Sequence, residues 1–198
     1  MRALFRWIVS NLLPPLMAFL VVVTVWHLAT VVFQIERFVL PGPLLVAKSA
    51  IKYADELWSG FLTTGLEAIV GFLLSLTFGT LIACLFSQSP LIRRSLFPYA
   101  IFLQTVPIVA IAPLIVIWFG TGFQSVVLVS FIISLFPIIT NATAGLLQVD
   151  PDLLDLFTLN NATRWQTLTK LRLPSAVPSI ITGARIASGV AVIGAIVG

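Results

Sequence analysis

Long apolar runs separated by short polar stretches make up most of this chain. Apolar runs cover residues 16–33, 62–86, 97–119 and 126–147, and a fifth begins near residue 180 and reaches residue 198. A helix that crosses the hydrocarbon core of a bilayer needs about 20 mostly apolar residues. The spacing therefore predicts about five membrane-spanning helices joined by short connections.

The fifth apolar run differs from the others at its far end. It stops in the sequence GVAVIGAIVG, with neither a basic residue nor an aromatic residue after it. Membrane spans are commonly flanked by such residues at the interface between lipid and water. We therefore expect the natural chain to continue into a sixth span.

The composition changes the picture from apolar helices in general to a protein that lies in lipid. Hydrophobic residues make up 59% of the sequence, charged residues only 9%, and the mean hydropathy is +1.11. A soluble domain needs about a quarter of its residues charged. The first run is too long for a cleaved signal peptide, so we interpret it as a retained helix. An all-α membrane protein is predicted, and a water-soluble class is excluded.

Basic residues are distributed unevenly between the two sides of the predicted helix bundle. With the N-terminus in the cytoplasm, the inner side receives eight of them and the outer side three. The inner set is Arg2, Arg6, Arg93, Arg94, Arg164, Lys170, Arg172 and Arg185, and the outer set is Arg37, Lys48 and Lys52. This excess matches the positive-inside rule, and it explains the basic character without nucleic acid as a partner. We predict one multi-pass domain over residues 1–198, with residues 150–178 in the cytoplasm.

Small residues and prolines modify the predicted helices. Residues of small volume recur every four positions, a pattern that lets helices approach closely in lipid but also arises by chance. They are Gly71, Ser75, Gly79 and Ala83 in the second run, and Ala187, Ala191 and Ala195 beside Gly194 and Gly198 in the fifth. Pro107, Pro113 and Pro137 predict kinks in the third and fourth spans. The outer loop predicts a short amphipathic surface helix over residues 43–57.

The cytoplasmic stretch predicts two short helices with a turn between them. Asp150 is suited to the N-cap of the first helix, which Pro151 would begin. Asn160 and Asn161 can end it, because asparagine accepts a left-handed backbone conformation better than most residues. Thr163 and Gln166 fit a capping box at the start of the second helix, which we expect to stop at Pro174.

The first of these two helices combines an apolar face with acidic residues. Leu153, Leu156 and Phe157 share one face at helical spacing, beside Asp152 and Asp155. A loop that only lies on the membrane surface would not need this combination. It favours docking into a groove of a cytoplasmic partner.

Residues that could carry chemistry are few. The sequence has no phosphate-binding loop, no nucleophile with a base at a recognisable spacing and no metal-ligand cluster, so we predict neither a catalytic nor a metal site. Four polar or helix-breaking residues within the spans could either line a path or bond neighbouring helices. They are Gln104, Thr105, Pro107 and Asn141.

The cytoplasmic stretch resembles the EAA loop of the permeases of binding-protein-dependent ABC importers. In that loop E-A-A is followed after three residues by Gly and after nine more by I-x-L-P. Here Asp155, Leu156 and Phe157 stand at E-A-A, Asn161 at the Gly, and LRLP at the end. QTVPIVAIAPLIVIWFGTG, FPIITNATAGL and DPDLLDL also resemble the nitrate, sulfonate and taurine branch, which includes permeases for pyrimidine precursors. Only the Leu-Pro end of the loop is intact.

The resemblance implies a type I importer permease bundle in the cell inner membrane, without enzyme activity of its own. Two cytoplasmic ATP-binding subunits would carry ATP and Mg²⁺, so this chain would bind no cofactor. A second permease copy or a paralogue, an extracytoplasmic solute-binding protein and membrane lipid would complete the assembly. The residues implied in coupling to the ATPase are Asp152, Asp155, Leu156, Phe157, Asn161, Arg164, Trp165, Leu173 and Pro174.

Other classes of function remain open from the sequence. A non-transporting membrane scaffold would fit the altered loop. An ion-coupled secondary transporter would need ionisable groups near the middle of the membrane, where the sequence offers little beyond His27 and Glu67.

Overall fold

The computed structural model describes residues 11–198, and this part of the chain contains helices and no strand. In chain order the α-helices are α1 (Leu13–Val32), α2 (Pro43–Lys52), α3 (Ala54–Gln88), α4 (Pro90–Thr105), α5 (Ile108–Phe119), α6 (Phe123–Leu147), α7 (Pro151–Leu159), α8 (Arg164–Thr167) and α9 (Leu173–Val197). A π-helical turn, Leu168–Arg172, joins α8 to α9. The chain divides into two compact units, Met1–Gly60 and Phe61–Gly198.

Among residues 11–198, four helical stretches are long and apolar enough to cross a membrane. They are α1, α3, α6 and the continuous stretch Arg164–Val197. These helices confirm the predicted all-α membrane fold.

The third apolar run is two helices rather than the single kinked span that was predicted. Helix α4 ends at Thr105 and α5 begins at Ile108, with Val106 and Pro107 in extended conformation between them. The proline ring disfavours helical geometry in the residue before it, and proline has no N–H to continue the helical ladder. The apolar helix α5 is therefore only 12 residues long.

The outer-loop helix is also shorter than predicted. Helix α2 ends at Lys52, and the next helix begins two residues later and continues for 35 residues. Asp55 and Glu56 occupy its first turn, where the positive end of the helix dipole favours acidic side chains.

Helix α6 lies between α3 and α9, and small residues allow the close approach on both sides. A Cβ added to Gly71 of α3 would lie 2.6 Å from the Cβ of Ser130, and one added to Gly194 of α9 would lie 2.7 Å from the Cα of Ser130. Gly79 meets Ile138 in the same way. The predicted packing role of both series of small residues is thus confirmed.

Hydrogen bonds from buried serines join these three helices. The Ser75 hydroxyl donates to the carbonyl oxygen of Phe131 at 2.7 Å. From α6, the hydroxyls of Ser130 and Ser134 donate to carbonyl oxygens of Ala191 at 2.9 Å and Ala187 at 3.3 Å. Each interhelical bond of this kind contributes about 0.6 kcal/mol on average. The packing of α3, α6 and α9 forms the frame from which the 150–178 segment extends.

Candidate functional site

Helix α7 begins as the sequence predicts. The Asp150 carboxylate accepts a hydrogen bond from the backbone N–H of Asp152 at 2.9 Å, and Pro151 occupies the first turn. This cap satisfies a backbone donor that has no partner within the helix. The start of the helix is therefore set by residues adjacent to it in sequence.

The exposed face of α7 combines acidic and apolar side chains. Asp152, Asp155, Leu156 and Leu159 lie on it, with Leu156 52% exposed and Leu159 80% exposed. Phe157, predicted to share the apolar face, is only half-buried and lies on the side turned inward. Leu153, also predicted on the apolar face, is 43% exposed. The side chains of α7 available to a partner thus include two carboxylates and three leucines.

The turn after α7 is confirmed in its detail. Asn161 has a φ of 53°, the left-handed conformation that asparagine tolerates, and the Asn160 side chain donates to the carbonyl oxygen of Leu156 at 2.8 Å. Thr163 and Gln166 form the predicted capping box, with Gln166 Oε1 accepting from the Thr163 N–H at 2.8 Å. Caps at both ends of the turn hold α7 and α8 in a defined geometry.

The predicted stop at Pro174 is wrong. The chain remains helical from Arg164 to Val197, because the π turn widens the helix just before the proline, and Leu173 N–H bonds to the carbonyl oxygen of Leu168. A widened turn accommodates a ring that cannot donate to the ladder. The coupling candidates Arg164 and Trp165 therefore belong to the same helical rod as Leu173 and Pro174.

Two leucines of the π turn anchor this rod in the bundle. Leu168 and Leu171 are buried, and Leu168 packs in a core cluster with Ala83, Ala142, Leu146 and Ala176. Trp165, in contrast, is 70% exposed. The segment thus has one side fixed to the bundle and one side open.

A polar cleft separates the 150–178 segment from the end of α3. Its volume is about 220 Å³, and Gln88, Thr158, Arg164 and Thr167 contribute to its lining. Across it, the Arg172 guanidinium donates to the backbone carbonyl oxygen of Ser87 at 2.8 Å. This bond links residues that are 85 positions apart in sequence.

Three of the four residues predicted to line a path lie together. Gln104, Thr105 and Pro107 line a cavity of about 460 Å³ whose other wall is formed by α6 residues such as Ile132 and Phe136. Asn141 is placed elsewhere, since its side-chain amide donates to the carbonyl oxygen of Pro137 at 2.8 Å and its Cβ faces Gly183. Asn141 therefore joins the contact between α6 and α9.

Some residues of the site carry no clear signal in the sequence. Leu159 is the most exposed leucine of α7, yet it stands at one of the three unspecified positions between E-A-A and the Gly of the loop pattern. The Arg172–Ser87 hydrogen bond depends on the folded bundle, so no local sequence pattern predicts it. Among residues 11–198, no three His, Cys, Asp or Glu side chains lie close enough to hold a metal ion.

Known proteins match this chain over most of its length. The family described as binding-protein-dependent transport system inner membrane component matches residues 75–198. A probable ABC transporter permease of Haemophilus influenzae is 36% identical over 95% of this chain and 77% of its own length. A formylaminopyrimidine transport permease of Halalkalibacterium halodurans is 33% identical over 94% and 74%. A riboflavin transport permease of Chloroflexus aurantiacus is 32% identical over 98% and 72%.

Relatives named as permeases for aliphatic sulfonates, taurine and nitrate match as well, which confirms the branch that the resemblance indicated. The family match covers more than half of the chain, and it includes α6, the 150–178 segment and α9. The chain therefore belongs to the family of inner membrane components of binding-protein-dependent transport systems.

Proposed function

We propose that this chain is the permease subunit of an ATP-driven importer for a small solute of the sulfonate, nitrate, taurine or pyrimidine-precursor type. Two separate cytoplasmic subunits bind ATP and Mg²⁺, and their closure drives alternating access through the permease. A second permease copy or a paralogue encloses the path, and an external binding protein delivers the solute. Family membership supports this class of function.

The observation that carries the coupling proposal is the continuous helix from Arg164 to Val197. It extends from the exposed Trp165, through the buried Leu168 and Leu171, to the contact with α6. The helix can transmit a displacement because it is packed along its length: Leu168 and Leu171 are buried in the bundle before Pro174, and Gly194 is packed against α6 after it. Motion of a bound ATPase at Trp165 thereby moves α9 against α6.

The surface that receives the ATPase is the coupling face, defined as Asp152, Asp155, Leu156, Leu159 and Trp165. Exposed leucine and tryptophan side chains are suited to a pocket on a partner, and tryptophan is enriched among residues that dominate binding energy. The two aspartates select a partner that presents basic groups around such a pocket. Phe157 supports this face from the inward side of α7, and the exposed Asn161 sets the left-handed turn that follows it.

Substitution within the coupling face tests the proposal. The double variant Asp155→Lys/Leu156→Asp reverses the charge at one position and replaces an apolar contact by a carboxylate at the next, and both positions are exposed to water. We expect the wild-type chain, purified in detergent from its native membranes, to retain an ATP-binding subunit identified by mass spectrometry. The double variant should lose at least about 90% of it, because central apolar contacts are commonly worth 2 kcal/mol or more (about 30-fold in affinity).

A matched control applies the same changes at a remote exposed site. Asp55→Lys/Leu57→Asp alters the first turns of α3, where both residues are exposed. This variant should keep the ATP-binding subunit. A wild-type chain that brings down no ATP-binding subunit would contradict the importer and favour a non-transporting scaffold.

A further inference from the structure

The outward face of α9 carries a positive charge at the middle of an apolar helix. Arg185 is the central residue of the 25-residue helix Leu173–Val197. At about 1.5 Å per residue it lies about 20 Å along the helix from Arg172. The fifth span is predicted to begin near residue 180, so Arg185, counted above with the cytoplasmic charges, lies about 8 Å, or one and a half turns, inside the inner end of that span.

The Arg185 side chain is exposed on the side of α9 opposite the bundle core. The buried residues of α9, such as Gly183, Ala187 and Gly194, lie on the other side of the helix. Within residues 11–198, the Arg185 guanidinium has no hydrogen-bond or ion-pair partner, and only its backbone carbonyl oxygen accepts, from the Ser188 hydroxyl at 2.9 Å. The charge is thus available to a group outside this part of the chain.

A short polar belt surrounds Arg185 on the same face. Thr182 and Ser188 lie one turn before and one turn after it, and a Cβ added to Gly189 would meet nothing within 4 Å. Above and below this belt the exposed face is apolar, with Ile181 at 57% and Val192 at 48% exposure. The open space at Gly189 therefore lies beside the guanidinium, at the level of the polar belt.

A charged side chain inside the hydrocarbon core of a bilayer is costly when it faces lipid, so it normally faces water or a partner. We propose that Arg185 faces the water-filled path between this chain and the second permease copy, and that its guanidinium binds the anionic oxygens of the transported solute. This inference rests on the proposed transport function and adds the site and the ligand class to it.

The chemistry of the guanidinium defines the ligand. Its planar fork of N–H donors matches two oxygens of a carboxylate, sulfonate or nitrate group, and it stays protonated at all relevant pH values. Thr182 and Ser188 donate their hydroxyl protons to carbonyl oxygens of their own helix, at Pro178 and Arg185. The ligand is therefore a small oxyanion held chiefly by the one charge.

The test measures which charge the face of Arg185 attracts, without knowledge of the solute. Ser188→Cys is introduced together with Cys84→Ala, which removes the single native thiol. Membranes opened by freezing and thawing are treated with anionic sulfonatoethyl or cationic trimethylammonioethyl methanethiosulfonate. Each labelling rate is normalised by the rate at which the same reagent reacts with a free thiol in solution. We expect the anionic reagent to be favoured roughly tenfold, because a full positive charge lies one helical turn away.

Variants of Arg185 and a control position complete the experiment. Arg185→Gln should abolish the preference, and Arg185→Lys should retain it. Ile186→Cys is the control position. It lies next to Arg185 but 100° around the helix, on a flank shared with Ile193. It should react slowly with both reagents because it faces lipid.

The outcomes separate this inference from the proposed function. Equal normalised rates at Ser188→Cys in the chain with Arg185, or no reaction there with either reagent, would overturn the anion site. The experiment uses no ATP, so loss of the ATP-binding subunit in the purification above would leave a positive labelling result standing. Retention of that subunit without charge selectivity would leave the importer and remove the anion site.

Discussion

At the scale of single residues, the smallest side chains decide how the bundle packs. Gly194 stands directly against the backbone of Ser130, whereas Gly189, on the same helix, faces open space. Both are glycines within α9, and both are helical. The difference between them is therefore the presence of a neighbouring helix and not backbone conformation.

This contrast predicts the effect of adding one methyl group. Gly194→Ala should lower the free energy of unfolding by about 1–3 kcal/mol, because its Cβ would lie 2.7 Å from the Cα of Ser130 and α6 would have to shift. Gly189→Ala should be neutral or slightly stabilising. Thermal unfolding of the two variants in the same detergent checks this, and equal melting temperatures would contradict the close packing.

At the scale of elements, the 150–178 segment works as a connected unit of two capped helices and a rod. The capping residues fix the turn, the π turn carries the helix past Pro174, and Leu168 inserts into the core. The Arg172–Ser87 hydrogen bond then ties the rod to the end of α3. Because Arg172 touches the bundle and not the coupling face, it is a positioning residue for the proposed coupling.

Removal of the Arg172–Ser87 hydrogen bond should reduce transport without reducing ATPase binding. Arg172→Gln shortens the side chain and removes its charge, which should cost about 1–3 kcal/mol of stability by the loss of a charge-assisted hydrogen bond. We expect the ATP-binding subunit to remain bound while solute uptake per ATP hydrolysed falls severalfold in proteoliposomes.

The control for Arg172 lies two residues away in the same turn. Lys170→Gln removes the same charge from an exposed side chain. It should leave the ratio of uptake to hydrolysis unchanged. Equal losses in both variants would show that general positive charge matters, and not the bond to Ser87.

At the scale of the whole molecule, the distribution of basic residues predicts that the 150–178 segment lies in the cytoplasm and the loop with Lys48 on the outside. A single cysteine at each place, in the Cys84→Ala chain, tests this orientation. Lys48→Cys should react with a membrane-impermeant maleimide in intact cells, and Leu159→Cys only in inverted vesicles. The reverse pattern would invert the topology and contradict a cytoplasmic coupling face.

The sequence by itself determined the features that depend on neighbouring residues. Apolar runs of sufficient length dictate helices in lipid, since unpaired backbone groups are too costly there. The N-cap at Asp150, the left-handed Asn161 and the capping box at Thr163 depend on side chains within three residues of the groups that they satisfy. Local chemistry was sufficient to predict these caps and turns, and the loop pattern that contains them indicated the family.

Only the tertiary structure decided the features that depend on distant residues. Which face of α7 is open, how the helix continues through Pro174, and where Arg172 finds an acceptor all follow from packing against α3 and α6. The separation of Asn141 from the cavity beside Pro107, and the outward position of Arg185, have the same origin. A helical pattern specifies which residues share a face, but contacts with other helices determine whether that face meets protein, lipid or water.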